Sequence, residues 1–249
     1  MEFFLEIDIV RKISVITIVK NDYQGLNKTI KSVQDSGLQC EHLIIDGSNQ
    51  KLEKLNCSNN LVYIWGVDYG ISDAFNKGVS LATSEYVLFL NAGDELLDKA
   101  ALLIQEVLVD KRVDAAWFSV LRISEGRRKT IYRPRIKYLY YAMSAPHQGL
   151  ILRRKVFSEI GGFPYQKYSM DHYLALKLIS RSPKYKISCF YEPIATYPSG
   201  GHSSKGGNLP FIYNVWNVLR INPLGLPIAI VVNFYLMAKS TFSKLKVSA

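Results

Sequence analysis

The chain has 249 residues, 48% of them hydrophobic, with 31 Lys+Arg against 21 Asp+Glu and a formal net charge of +10. That length and apolar content suit one α/β domain with a sizeable core, or two small domains at most, and exclude intrinsic disorder and collagen-like repeats. The charge is uneven: residues 1–110 carry 9 basic and 16 acidic side chains (net −7), residues 111–249 carry 22 and 5 (net +17). The second half therefore attracts phosphates, whether on nucleic acid, an anionic membrane or a diphosphate-bearing substrate.

In chain order, Glu2 and Glu6 stand where a signal peptide needs basic residues, so no export is expected. Cys40, Cys57 and Cys189 have no metal-site spacing and read as reduced cytosolic thiols. The β-branched run Ile13–Val19 predicts a buried strand, ended by Asn21-Asp22, and Leu26, Ile30 and Val33 then recur at helical spacing up to Gly37. Further strands are predicted over 42–45, closed by Asp46-Gly47-Ser48, over 61–65, and over 86–90, running into Asn91-Ala92-Gly93-Asp94. Helices are predicted over about 72–82 and 96–108, and another strand over 115–120. Alternating helices and continuous apolar strands predict an α/β fold: a mostly parallel sheet flanked by helices.

In such a sheet, ligands bind beyond the carboxyl ends of the strands. Asn21/Asp22, Asp46, Asp68 and Asp94 all fall there. One such Asp is usually a turn former, but several in a net acidic half point to a site for a metal or for ribose and base hydroxyls. Beyond residue 120 the character changes. Arg127, Arg128, Lys129, Arg133, Arg135 and Lys137 interleave with Tyr132, Tyr138, Tyr140 and Tyr141. Alone, this segment reads either as a nucleic-acid surface or as a solvated loop and sheet edge.

Four stretches resemble one family over roughly residues 13–205. Asp68-Tyr69-Gly70-Ile71-Ser72-Asp73-Ala74-Phe75-Asn76-Lys77-Gly78 is similar to the D-x-G-I-x-D-A-x-N-K-G segment of the family 2 glycosyltransferases of bacterial surface polysaccharide synthesis. Asn91-Ala92-Gly93-Asp94 stands where that family ends its fourth strand in a D-x-D-type metal motif. His147-Gln148-Gly149 with Arg153-Arg154, and Gly161-Gly162-Phe163 with Met170-Asp171-His172-Tyr173, resemble its acceptor-side pattern.

The resemblance implies a GT-A-like fold. Residues 1–205 would form the glycosyltransferase domain, with about 1–110 as the donor-nucleotide half and 111–205 as the acceptor half, and 206–249 a C-terminal apolar and basic helical tail. It implies an inverting, metal-dependent transfer from a nucleoside diphosphate sugar, by default a UDP-sugar, to a hydroxyl of a lipid-linked glycan of lipopolysaccharide or capsule. Asp171 would be the general base, suited by a modestly raised pKa; it also reads as a helix N-cap. Thr17, Val19, Asn21, Asp46, Asp68, Asp73, Asn76, Lys77 and Asn91 would surround the donor. His147, Gln148 and Arg153 would lie on the acceptor side. Asp94 would hold Mg²⁺ or Mn²⁺, with His202 as a further ligand or phosphate contact, although His202 also reads as an ordinary loop histidine.

Two positions depart from the family pattern. Asn91 and Gly93 stand where D-x-D members often carry Asp, so metal affinity should depend on the nucleotide. Lys20 stands where Tyr is frequent, which removes an obvious base-stacking ring.

In the tail, Phe211, Val215, Val218 and Leu219 have helical spacing, 228–237 is apolar nearly all round, and Lys239, Lys244 and Lys246 follow. This suits the cytoplasmic face of an anionic membrane, at about 1 kcal/mol per basic residue. The alternative is packing on the domain core or on a second copy of the chain. Two prolines and two asparagines over 221–238 argue against a spanning helix. Two other functions compete: a basic nucleic-acid-binding protein using residues 127–141, and a nucleotidyltransferase, disfavoured because no Gly-rich phosphate loop follows the first strand.

Overall fold

The structure, a computed structural model, describes residues 12–53, 60–110, 112–124, 129–182, 184–201 and 206–245. β1 (Ile13–Val19), β2 (Glu41–Asp46), β3 (Leu61–Trp65) and β4 (Tyr86–Asn91) are joined only by parallel ladders, in the order β3-β2-β1-β4. Every residue of β1 and β2 is buried, which is why these strands read as unbroken apolar runs.

α1 (Tyr23–Asp35) buries Leu26, Ile30 and Val33, and its N-cap Asp22 accepts a hydrogen bond from the Gly25 amide. α2 (Ile71–Leu81) buries Ala74, Phe75 and Val79. It lies so close to β1 that a Cβ at Gly78 would stand 2.3 Å from Ile16 Cγ2.

The second half of the sheet is mixed. It comprises β5 (Glu95–Leu96), β6 (Ala115–Ile123), β7 (Lys129–Tyr132), β8 (Leu150–Arg153) and β9 (Ile187–Pro198). The order continues β4-β8-β6-β9-β5, with β7 on the edge of β6. β8 runs antiparallel to both β4 and β6, so the chain enters β8 at the same sheet edge where β4 ends.

The remaining helices are α3 (Ala100–Val109), α4 (Ile136–Leu139), α5 (Arg154–Glu159) and α6 (Met170–Ser180). Successive β4 residues divide between the two faces: Phe89 packs with Phe75, Phe157 and Phe163, while Leu88 joins Ile104, Phe118 and Ile151.

α3 begins four residues later than the helix expected from 96, because Glu95 and Leu96 pair with Thr196 and Ala195 of β9. The basic aromatic segment forms the edge strand β7 and the short α4. Arg122 lies over the Tyr132 ring at 5.2 Å and Arg135 over Tyr138 at 5.7 Å, while Arg127 and Arg128 lie outside the described residues.

The tail forms α7 (Leu209–Ile221) and α8 (Leu226–Leu245), α7 packing on α6 and α8 on α7. Buried asparagines staple them. Asn217 Nδ2 donates to the Ser169 carbonyl (2.9 Å), Asn214 Nδ2 to Asn233 Oδ1 (3.1 Å), and Asn233 Nδ2 to the Tyr141 carbonyl (2.7 Å). The prolines do not interrupt α8, contrary to expectation. Pro223 lies in the preceding 3-10 turn and Pro227 in the first helical turn, where a missing N–H costs nothing. The window Pro223–Ser240 has mean hydropathy 1.3, is long and apolar enough to cross a bilayer, and has 17% of its residues buried. Ile212, Trp216, Val231, Phe234 and Tyr235 are exposed on the two helices, and Leu224 on the 3-10 turn between them.

Candidate active site

The carboxyl ends of β1, β2 and β3 form one polar rim. Asp46, fully buried at the end of β2, accepts from the Ser48 amide at Oδ1 (2.8 Å) and from the Tyr63 hydroxyl at Oδ2 (2.6 Å). Burial, and then the bond to Asp46, pushes the Tyr63 phenol up to about 12. Asn21, held at φ 56, accepts from the Asn49 amide (3.2 Å), and its own N–H donates to Ser48 Oγ (2.7 Å).

The Asp68 carboxylate lies against the backbone of Gly47, where a Cβ would stand 1.5 Å from Oδ2 and would have to push the carboxylate aside. Asp68 Oδ1 accepts from Gly70 N (3.1 Å) and pairs with Lys20 Nζ (3.4 Å), giving Lys20 a place in the rim that a tyrosine would not fill. Trp65, at the end of β3, donates Nε1–H to the Ser48 carbonyl (3.0 Å) and is 45% exposed. It puts an aromatic face on this rim, and the apolar run of β3 hid it among core residues in the sequence.

Other expected donor residues hold the scaffold. Thr17 is fully buried with Oγ1 2.8 Å from His42 Nε2, and Val19 packs with Leu26, Ile30 and Ile44. Asn76 uses both amide atoms on the Phe163 backbone, donating from Nδ2 to its carbonyl (2.9 Å) and accepting its N–H at Oδ1 (3.0 Å). Thr17, Val19 and Asn76 therefore turn their side chains into the scaffold. Lys77 Nζ donates to the Val67 carbonyl (3.1 Å), closing the turn that carries Asp68. Asp73 accepts from Tyr69 N (3.0 Å) and Tyr165 Oη (3.4 Å) at the start of α2.

A second cluster forms where β4 ends and β8 begins. The turn after β4 buries Asp94 (3% exposed), whose Oδ2 accepts from Asn91 N (2.8 Å), Asn91 Nδ2 (3.0 Å) and Gln148 Nε2 (3.1 Å). His147 opens the 3-10 turn His147–Gly149 that leads into β8. Its Nε2 lies 3.2 Å from Asn91 Nδ2 and its Nδ1 3.5 Å from Asp171 Oδ2. The two carboxylates are thus joined through Asn91 and His147.

Asp171 stands in the first turn of α6, not at its N-cap, which is Ser169. The side chain is 24% exposed and accepts from the His172 amide at Oδ1 (2.9 Å). Burial pushes the Asp171 carboxyl up, but the hydrogen bond with His147, foremost among the opposing contacts, holds it below the ordinary range. That direction is opposite to the modestly raised value expected of a base. At Asp94 the balance is reversed: burial wins over His147, Asn91 and Gln148, and its carboxyl sits above the ordinary range. Neighbouring carboxyls pushed apart in this way suit different roles.

Tyr197 near the end of β9 is a neighbour that sequence reasoning missed. Its phenol is pushed up by burial first and by Tyr132, against Arg122, with Asp94 and Asp171 adding to the rise. His172 is fully buried, its Nε2 2.8 Å from the Leu139 carbonyl.

Arg153 lies away from this cluster. It pairs with Tyr86 at the opposite end of β4, its guanidinium bound by Glu85, Asp114 (3.1 Å), Tyr86 Oη (2.7 Å) and the Val113 carbonyl (3.0 Å). His202 lies outside the described residues.

Among the described residues no group of three or more His, Cys, Asp or Glu could cage a metal. With Oδ2 of Asp94 engaged three times, Oδ1 is the oxygen left to offer. One carboxylate oxygen fits Mg²⁺ or Mn²⁺ only when diphosphate oxygens and water complete the shell.

A parallel half, joined through an antiparallel strand to a mixed half, is the GT-A class of fold. The chain belongs to glycosyl transferase family 2, whose family model matches residues 14–174. The uncharacterized glycosyltransferases Rv1514c and MT1564 of Mycobacterium tuberculosis strains H37Rv and CDC 1551 are each 29% identical over 163 residues. The match spans 61% of this chain and 62%, less than two thirds, of those relatives. Among solved structures, S. aureus TarS 1–349 in complex with UDP-GlcNAc is similar with TM-score 0.65 and 15% identity, over 85% of this chain and 67% of that one. A longer S. aureus TarS structure gives 0.61 and 14%, over 85% and 40%. At these identities the likeness is one of fold.

Proposed function

We propose that the chain is an inverting glycosyltransferase that moves a sugar from a UDP-sugar to a hydroxyl of a lipid-linked glycan in bacterial surface polysaccharide synthesis. The observation that carries this reading is the meeting of Asp94 and Asp171 at one sheet edge, beside the rim of Asn21, Asp46 and Asp68. The acceptor oxygen attacks the anomeric carbon opposite the diphosphate, and its proton passes to Asp171. The bond from that carbon to the phosphate oxygen breaks, its electron pair leaves with the nucleoside diphosphate, and the configuration inverts. A divalent cation, when bound, would neutralise charge on the leaving diphosphate, and Asp94 is the residue to hold it.

Trp65 offers a stacking face for the base, and the UDP-GlcNAc bound to the TarS relative in fold supports uridine. The exposed apolar side chains of α7 and α8, followed by lysines in a net +17 half, support attachment to the cytoplasmic leaflet where lipid-linked acceptors sit. Membership of family 2 displaces the nucleic-acid and nucleotidyltransferase readings.

The test is UDP release and glycan transfer across a panel of UDP-sugars, with Mn²⁺ or with chelator. Asp171→Asn should lower transfer by about 10²–10⁴-fold, and Asp94→Ala should remove the metal-dependent rate. Full transfer by Asp171→Asn would overturn the base assignment, and turnover indifferent to chelator would overturn the metal.

A further inference from the structure

The polar chain between the two carboxylates has a direction. Asn91 Nδ2 lies 3.0 Å from Asp94 Oδ2 and 3.2 Å from His147 Nε2, and an amide nitrogen has two hydrogens to donate and accepts none. The reversed amide would set Asn91 Oδ1 against the Asp94 carboxylate, two acceptors face to face, so Asp94 fixes which way Asn91 points. His147 Nε2 must then accept, which leaves the ring proton on Nδ1, facing Asp171 Oδ2 at 3.5 Å. The ring is held by an edge contact with Phe75, centroids 5.6 Å apart, and is 12% exposed.

We infer that Asn91 and His147 are positioning residues for the reaction: Asp94 orients Asn91, Asn91 selects the Nδ1–H tautomer of His147, and that N–H orients the Asp171 carboxylate. This rests on the proposed role of Asp171. It gives the departure from the D-x-D pattern a physical meaning. An aspartate at 91 would accept from Nε2–H, draw the ring proton away from Asp171, and set a second carboxylate against Asp94. With Asn91, one imidazole links the metal-side carboxylate to the base, its Nδ1–H turned toward the base.

The experiment is two-bond ¹H–¹⁵N correlation of the four histidines in the ¹⁵N-labelled 249-residue chain at neutral pH. His147 is assigned by its loss in His147→Asn. The Nδ1–H pattern is expected for the parent and its loss for Asn91→Asp. An Nε2–H or doubly protonated His147 in the parent, or an Asn91→Asp spectrum unchanged at His147, overturns the inference.

The kinetic arm uses the two amides that mimic one ring nitrogen each. His147→Asn places an N–H near the Nδ1 position and should keep transfer within about tenfold. His147→Gln places it near Nε2 and should lose about 100-fold or more. Equal losses overturn the positioning role. A parent chain that turns over no nucleotide sugar rejects the proposed function instead, and the spectra still decide the tautomer.

Discussion

Asn76 belongs to the motif stretch that resembles a donor-binding segment, yet its amide is spent on the Phe163 backbone, and replacing it by alanine separates the two readings. Phe163 is 1% exposed, so Asn76→Ala leaves a buried N–H and a buried C=O without their 3.0 Å and 2.9 Å partners. At about 1–3 kcal/mol per unsatisfied buried group, the loss should be near 3 kcal/mol. For a domain of this size that corresponds to a Tm lower by about 6–12 °C. Gly162, at φ +64, packs beside the same amide, so the Gly161-Gly162-Phe163 turn that precedes Asp171 should loosen with it. Thermal and urea unfolding, run beside UDP titration, distinguish the outcomes. A Tm unchanged within error together with weakened UDP binding would show that Asn76 touches the donor and would refute the clamp.

Burial lowers the pKa of both His42 and His172 to about 4, against an ordinary 6.5. Below pH 6.5 the unfolded chain binds protons that the folded chain refuses, so stability should be complete above that pH and fall toward pH 4. The loss should be about 2 kcal/mol per histidine by pH 5. Equal urea midpoints at pH 7.5 and pH 5 would refute neutral burial of these rings. On the tail, Trp216→Ser and Phe234→Ser remove side chains that are 52% and 67% exposed and should leave the fold intact. Each should weaken sedimentation with anionic vesicles about tenfold; unchanged binding by the double variant would reject α7–α8 as a membrane face.

Where an element buries a continuous apolar run, its sequence revealed it. β1 to β4 and helices α1 and α2 lie within a residue or two of their expected places because Ile13–Val19 and the Leu26, Ile30, Val33 spacing are local signals. β9 was illegible. Pro193 falls inside it, opposite Ser119 at a shift of register with β6, and a proline in a run ordinarily argues against a strand. β5 was lost for a different reason: two residues become a strand only through Ala195 and Thr196, a hundred positions away.

At the site, motif resemblance selected Asp94, His147, Gln148 and Asp171, which the structure brings together. It did not separate residues that would meet a ligand from those that hold the frame, since Asn76, Thr17 and Arg153 share stretches with the former. That distinction depends on which way each side chain turns, and Trp65 and Tyr197 show the same gap from the other side.

Arg153 behaves as a ruler. Its guanidinium fastens the end of β8 to the starts of β4 and β6 at once, through Glu85, Tyr86, Val113 and Asp114. The pairing Tyr86↔Arg153, Val87↔Leu152, Leu88↔Ile151 then sets how far β8 reaches toward the other end of β4, about 17 Å away at 3.3–3.4 Å per residue. The spacing of Asn91 and His147 is read off that scale. Were the anchor to slip by one residue, every β8 side chain would also change faces. A kinetic screen would accordingly score Arg153 variants as catalytic losses, although the residue stands at the opposite end of β4 from Asn91.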